Sequence, residues 1–113
     1  MEKFDVVVVG AGTAGCLTAQ VAAKAGLDVC IVDRKKKDEI GEKVCGDAVG
    51  HHHFESLKLS PPSGDEAKNR IEGVRIHSPD LQTLMTVRSE RTYGYILNRQ
   101  RFGQRLLNSA LDA

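Results

Sequence analysis

The fold is decided by residues 5–15, which read Asp5-Val6-Val7-Val8-Val9-Gly10-Ala11-Gly12-Thr13-Ala14-Gly15. The run of valines predicts a short strand that is buried on both faces of a parallel sheet. Apolar residues then recur at spacings of three and four up to Gly26, which indicates a helix. Residues 28–33, Asp-Val-Cys-Ile-Val-Asp, predict a second buried strand. Residues 5–33 therefore form one β-α-β unit, and its crossover should be right-handed.

The glycines between the first strand and the helix have the spacing Gly-x-Gly-x-x-Gly, which is typical of a dinucleotide-binding turn. Gly10 permits the tight turn, Gly12 lets the backbone approach a pyrophosphate, and Gly15 allows close packing of the helix on the strand. The free amides of the helix start favour a phosphate group. Asp33 ends the second strand, where its carboxylate can accept hydrogen bonds from the adenosine ribose.

This motif alone leaves the ligand open between FAD and NAD. The run Lys35-Lys36-Lys37 would suit a ribose 2′-phosphate and hence NADP, but Asp33 would repel such a phosphate. A lysine run beside a loop is more often a solvated surface. A structural turn that binds nothing is the remaining alternative.

After the second strand the pattern departs from an ordinary nicotinamide domain, which would continue with another helix and parallel strand. Residues 34–39 are charged, residues 41–50 are rich in glycine, and residues 51–59 could form a short helix. Two alternating segments, 73–78 and 82–88, predict an antiparallel hairpin. A strand at 93–98 and a helix at 101–111 follow. So few parallel strands cannot cover their own faces, and we expect the complete fold to need further elements.

The composition excludes some functions. The chain of 113 residues carries 16 basic and 15 acidic side chains, so no overall field favours nucleic acid. It contains neither a secretory leader nor an apolar run of about 20 residues, which predicts an intracellular protein with Cys16, Cys30 and Cys45 as thiols. Consecutive side chains on a helix point in different directions, so His51-His52-His53 should not share a metal ion, and we expect no metal site.

Three segments together resemble the geranylgeranyl reductase family, a branch of the flavoproteins that also includes the p-hydroxybenzoate hydroxylase type. They are residues 10–15, the loop Gly41-Glu42-Lys43-Val44-Cys45-Gly46-Asp47-Ala48, and the run Asn98-Arg99-Gln100-Arg101-Phe102. Residues 47–54 and 76–80 look especially like archaeal members, which saturate the isoprenoid chains of membrane lipids. The resemblance covers nearly the whole chain but only a quarter to a third of such an enzyme, so we expect an amino-terminal fragment.

The resemblance implies a Rossmann-like α/β fold that binds FAD, with an inserted loop and hairpin. Residues 1–50 would be the dinucleotide-binding unit and flavin loop, residues 51–92 the insertion, and residues 93–113 a strand and helix that return to the FAD domain. It also implies which residues contact FAD: Gly10, Gly12, Ala14, Gly15, Asp33, Arg34, Cys45, Gly46, Ala48 and Arg99.

Within this set, Cys45, Gly46 and Ala48 would lie along the flavin, and Cys45 is the one candidate catalytic residue. The family often has Glu where this chain has Asp33, whose shorter carboxylate should still reach a ribose hydroxyl. Cys45 as a merely packed thiol and Arg99 as an exposed cation remain the alternatives. The later Gly-Asp motif that contacts the ribityl and phosphate region lies outside these residues.

The function implied is an FAD-dependent reduction of C=C bonds in geranylgeranyl lipids. The implied partners are an isoprenoid lipid and an electron donor, either NAD(P)H or a ferredoxin-like protein. The implied location is the cytoplasm or the inner face of the membrane. Two alternatives stay open: an FAD-dependent aromatic hydroxylase of the same fold, and a non-catalytic dinucleotide-binding module.

Overall fold

The structure, a computed structural model, describes residues 1–113. The chain forms two compact units. The first unit comprises Met1–Val44 and Arg99–Ala113, and the second comprises Cys45–Asn98. In chain order the helices and longer strands are β1 (Val6–Val9), α1 (Thr13–Lys24), β2 (Val29–Val32), β3 (Ala48–Gly50), α2 (His51–Ser56), β4 (Ala67–Ile71), β5 (Val74–His77), β6 (Leu84–Val87), β7 (Gly94–Leu97) and α3 (Arg99–Leu111).

The first unit is the predicted β-α-β unit with α3 packed against α1. β1 and β2 are parallel, with Val6 opposite Val29 and Val9 opposite Val32. The buried side chains of this unit include Val8, Cys16, Ala19, Leu106 and Ala110. The β-α-β prediction is confirmed.

The expectation that β1 is buried on both faces was wrong. Val8 is 9% exposed, whereas Val7 and Val9 on the other face of the strand are 56% and 85% exposed. Alternate side chains of a strand point to opposite faces, and only one face of this two-stranded sheet is covered. Two strands and two helices thus leave one apolar face of the sheet open, as the sequence indicated.

The second unit contains a three-stranded antiparallel sheet in the order β3-β7-β4 and the separate hairpin β5-β6. Phe54 of α2 packs edge-to-face on Tyr95 of β7, with ring centroids 5.8 Å apart, and Leu97 is fully buried. The predicted hairpin is confirmed, with Val74 opposite Val87 and His77 opposite Leu84.

Two strands of this unit were not expected from the sequence. β4 reads Ala-Lys-Asn-Arg-Ile, is mostly exposed, and contains an irregularity between Ala67 and Asn69, so its apolar alternation is hidden. β3 is only three residues long and lies within the glycine-rich segment. Both strands pair with β7, which no local pattern reveals.

None of the three helices has the length and hydrophobicity that a membrane crossing requires.

Candidate functional site

The glycine turn joins β1 to the start of α1 in the first unit. Gly10 has φ +103°, a conformation that favours glycine, and its N–H donates to the carbonyl of Val32 at 2.7 Å. This bond ties the turn to the end of β2. Behind the turn, the buried Cys16 thiol donates to the carbonyl of Ala11 at 3.3 Å, and burial raises the pKa of this thiol. Hydrogen bonds with both β2 and α1 therefore hold the turn in place.

The first turn of α1 presents uncapped amides. Gly12 is the N-cap with extended backbone and no side-chain cap, and the first helical bond runs from the Cys16 N–H to the Gly12 carbonyl at 2.9 Å. The amides of residues 13–15 consequently have no acceptor within the helix. Together with the positive end of the helix they are suited to a phosphate group.

Asp33 lies at the mouth of this turn. Its Oδ2 accepts a hydrogen bond from the Ala11 N–H at 2.7 Å, and its Oδ1 accepts one from the Lys35 N–H at 2.8 Å. The backbone bonds from Lys35 and Ala11 lower the pKa of this carboxyl below its ordinary value of 3.8. Each carboxylate oxygen has lone pairs left for further donors, as a ribose hydroxyl would require.

The shifted pKa of Asp33 predicts part of the acid dependence of stability. A carboxylate with a lowered folded-state pKa contributes stability above its unfolded pKa and loses that contribution as the pH falls through the folded value. We therefore expect Asp33→Asn to flatten the fall in the free energy of unfolding below pH 3.8, measured by urea unfolding at successive pH values. Asp112→Asn makes the same charge change without those hydrogen bonds and is the control; equal curves for Asp33→Asn and the unaltered chain would contradict the prediction.

A cleft of 110 Å³ opens in front of the turn, within the first unit. Of the predicted site residues, Gly12, Asp33 and Arg99 line it. A Cβ built on Gly12 would meet no atom within 4 Å, so protein atoms do not fill the turn. The cleft thus joins free amides, the Asp33 carboxylate and the Arg99 guanidinium, with Glu42 as a second acidic lining residue, and the first three groups fit the pyrophosphate and adjoining ribose of a dinucleotide.

Helix α3 is placed beside the cleft by two glycines. A Cβ on Gly103 would be 2.3 Å from Cα of Gly41, so the helix and the loop touch through their backbones. Gln104 strengthens this contact, because its Nε2 donates to the carbonyls of Lys37 at 2.7 Å and Ile40 at 2.9 Å. This docking brings Arg99, the first residue of α3, to the cleft.

The other predicted residues have different positions. Gly10, Ala14 and Gly15 shape the turn and the start of α1, while Arg34 is exposed and does not line the cleft. Two lysines that were not singled out individually, Lys35 and Lys43, line it instead. Lys35 also donates through Nζ to the carbonyl of Glu42. The path of the loop after β2 decides which cations face the turn, and residue type alone does not reveal that path.

Cys45, Gly46 and Ala48 belong to the second unit. Cys45 is an exposed free thiol whose Sγ accepts a hydrogen bond from the Asp47 N–H at 3.4 Å. Asp47 has φ +62°, and Ala48 then begins β3 opposite Ile96. A left-handed residue directly after Cys45-Gly46 makes this segment a sharp turn with little side-chain bulk.

Comparison with known proteins gives related chains along nearly the whole sequence. The chain is 42% identical to the digeranylgeranylglycerophospholipid reductase of Sulfolobus acidocaldarius over 110 residues, which are 97% of this chain and 24% of that protein. It is 41% identical to digeranylgeranylglycerophospholipid reductase 1 of Methanosphaera stadtmanae over 116 residues, covering 100% of this chain and 27% of that one. The chain thus spans about a quarter of the length of the curated relatives it matches.

Solved structures also match nearly the whole chain. A geranylgeranyl bacteriochlorophyll reductase-like protein from Thermoplasma acidophilum matches with a TM-score of 0.88 and 30% identity, over 99% of this chain and 28% of that one. The halogenase PltM in complex with FAD matches with a TM-score of 0.69 and 25% identity, over 98% of this chain and 26% of that one.

A family model described as glucose inhibited division protein A matches residues 5–59, which include the β-α-β unit and the glycine-rich loop. That match covers just under half of the chain, whereas the archaeal reductases match almost all of it. Along nearly its whole length the chain is therefore similar to the digeranylgeranylglycerophospholipid reductases, over about a quarter of the length of those proteins.

Proposed function

We propose that the chain provides the ADP-binding part of an FAD-dependent reductase that saturates C=C bonds in the geranylgeranyl chains of membrane lipids. The observation that carries this proposal is the Asp33 carboxylate, held 2.7 Å from the Ala11 N–H beside the uncapped first turn of α1. The relatives named above support the reaction and the lipid substrate.

Four groups at the cleft have roles in holding the ADP half. The amides of residues 13–15 donate to the pyrophosphate, and Asp33 accepts from the ribose hydroxyls. Arg99 and Lys43, which also line the cleft, offset the phosphate charge. Asp33 also disfavours a ribose 2′-phosphate, so the lysines at 35–37 should not make this an NADP site.

Bound FAD, once reduced by an electron donor, would supply the hydride for one alkene carbon, while a proton adds to the other carbon. The protein residues bind and align the cofactor and keep the glycine turn open to it. For the second unit we propose that the turn at Cys45 and Gly46 lies along the flavin, where its small side chains permit close backbone approach. Cys45 stays the candidate catalytic residue, and Cys45→Ser is the variant that tests it.

A binding experiment tests the cofactor. We expect the chain to bind ADP and FAD with similar affinity in isothermal titration calorimetry, because the cleft recognises their shared half. Adenosine 2′,5′-bisphosphate should bind more weakly than ADP because of Asp33. FMN lacks the ADP half and should not compete. The proposal would be wrong if FMN bound as tightly as FAD, or if ADP did not bind.

A chimera tests the reaction. Replacing the matching segment of the Sulfolobus acidocaldarius relative with this chain should give a yellow protein that, with dithionite as reductant of its flavin, adds two hydrogens per double bond to a geranylgeranyl lipid, as read by mass spectrometry. Chimeras with Cys45→Ser or Gly12→Ala separate a reaction role from cofactor binding, since only the second should lose the flavin. Oxygen uptake with an aromatic substrate and no lipid reduction would favour the hydroxylase, and nucleotide binding without any turnover would favour a binding module.

A further inference from the structure

The second unit contains a basic cleft that the proposed function does not use. It has a volume of 300 Å³ and lies where β4 leads into the hairpin β5-β6. Arg70, Arg75 and Arg88 line it, and Glu72 is the one carboxylate among the lining residues. The cleft therefore has an excess of positive charge.

The hairpin register places two of these arginines on the same face. Arg75 is directly opposite Thr86, and Arg88 follows Thr86 by two residues, so Arg75 and Arg88 are diagonal neighbours about 7–8 Å apart at their backbones. The Arg88 side chain lies across Gly73, since a Cβ there would be 2.8 Å from Arg88 Cγ. Glycine at this position leaves room for the side chain beside the cleft.

The third arginine is held by an aromatic neighbour. Arg70 donates through its guanidinium to the Tyr93 hydroxyl and lies over the Tyr93 ring, 5.3 Å from the centroid. The hydrogen bond to Tyr93 raises the pKa of Arg70, so the guanidinium stays charged. It retains further N–H donors that can face the cleft.

Glu72 offsets only part of the positive charge of the three arginines in the cleft. Arg75 and Arg88 form no ion pair, and the carboxylate of Glu72 forms none either. The like charges of Arg75 and Arg88, at diagonal positions of the hairpin, repel each other. An oxyanion between the two guanidinium groups would remove that repulsion, and guanidinium groups match phosphate oxygens in pairs of parallel hydrogen bonds.

We propose that this cleft binds a phosphate group, with Arg75 and Arg88 as its direct ligands, Thr86 as a hydroxyl donor between them, and Arg70 closing one side. The phosphate could come from a small phosphate ester or from a lipid headgroup, which present the same oxygens. The site would bind phosphate whether or not the first unit holds a flavin.

Nuclear magnetic resonance of the ¹⁵N-labelled chain can separate this site from the glycine turn, which also attracts phosphate. We expect inorganic phosphate to shift the side-chain Nε–H signals of Arg75 and Arg88 in a saturable way. In Arg75→Gln combined with Arg88→Gln, binding is followed through the Arg70 Nε–H and Thr86 amide signals and should weaken about tenfold or more, because each Gln loses the charged fork. Arg75→Lys with Arg88→Lys keeps the charge and should weaken it less.

Lys68→Gln is the matched control, since it removes one positive charge from β4 without lining the cleft. Remaining signals of the Gln variant report on its folding. Competition by phosphatidylglycerol vesicles, but not by phosphatidylcholine vesicles, assigns the phosphate to an anionic lipid headgroup; phosphate binding without vesicle competition assigns it to a small ester. The proposal is overturned if phosphate shifts only the amides of residues 10–15, or if the double Gln variant binds as tightly as the unaltered chain.

Discussion

Replacing Gly15 with alanine is expected to lower the free energy of unfolding of the first unit by about 3 kcal/mol. A Cβ at this position would lie 1.8 Å from the Gly10 carbonyl oxygen and 3.0 Å from its carbon. These are backbone atoms of the turn, so relief requires α1 to move away from β1. Alanine usually stabilises a helix by about 1 kcal/mol relative to glycine, so the predicted sign is opposite to that of helix propensity. Urea unfolding followed by circular dichroism measures the effect.

Gly12→Ala is the matched control for this prediction. A Cβ there would meet no atom within 4 Å, and Gly12 has φ −75°, which any residue adopts. We expect its stability to change little, whereas its affinity for ADP should fall about tenfold because the methyl group stands where the pyrophosphate approaches. A Gly15→Ala chain as stable as the unaltered one, or a Gly12→Ala chain that binds ADP equally well, would contradict this assignment of roles.

The contrast between the two glycines shows what the sequence could predict. The motif spacing alone assigned Gly15 to packing and Gly12 to ligand approach, because both roles follow from local backbone geometry. Asp33 was expected beside the turn for a similar reason: it directly follows β2, the strand parallel to β1, and the ends of neighbouring parallel strands lie together, which brings its carboxylate 2.7 Å from the Ala11 N–H. Features that depend on short-range backbone geometry can therefore be predicted from the sequence.

Features that depend on distant parts of the chain could not be predicted from the sequence. β4 and β3 exist because both pair with β7, whose paired residues are 23 to 48 positions away in the sequence, although the residues of β4 are mostly polar and those of β3 are few. The same holds for Lys43 and Arg34: the loop after β2 turns Lys43 toward the cleft and leaves Arg34 outside it. The sequence of basic residues predicts the charge of this region but not the direction in which each side chain points.

Gly103 is the second position at which a single methyl group should have a large effect. It lies inside α3, where a sequence argument alone would favour alanine by about 1 kcal/mol. Its Cβ would be 2.3 Å from Cα of Gly41 and 3.0 Å from the Gly41 nitrogen, and the Cβ of Gly41 would in turn meet the carbonyl of Arg99 at 2.7 Å. Gly41 has φ +101°, so the loop cannot easily adopt another backbone there. We therefore expect Gly103→Ala to destabilise the first unit by about 2 kcal/mol.

The same change should also weaken ADP binding, because parting α3 from the loop moves Arg99 and strains the bonds from Gln104 to the carbonyls of Lys37 and Ile40. Asn108→Ala, at an exposed position of the same helix, is the control. It should raise the free energy of unfolding by about 0.5 kcal/mol without altering ADP affinity. Urea unfolding and calorimetric titration with ADP, run on both variants, separate the two effects. If Gly103→Ala behaved like Asn108→Ala, the backbone contact between α3 and the loop would not be what positions Arg99 at the cleft.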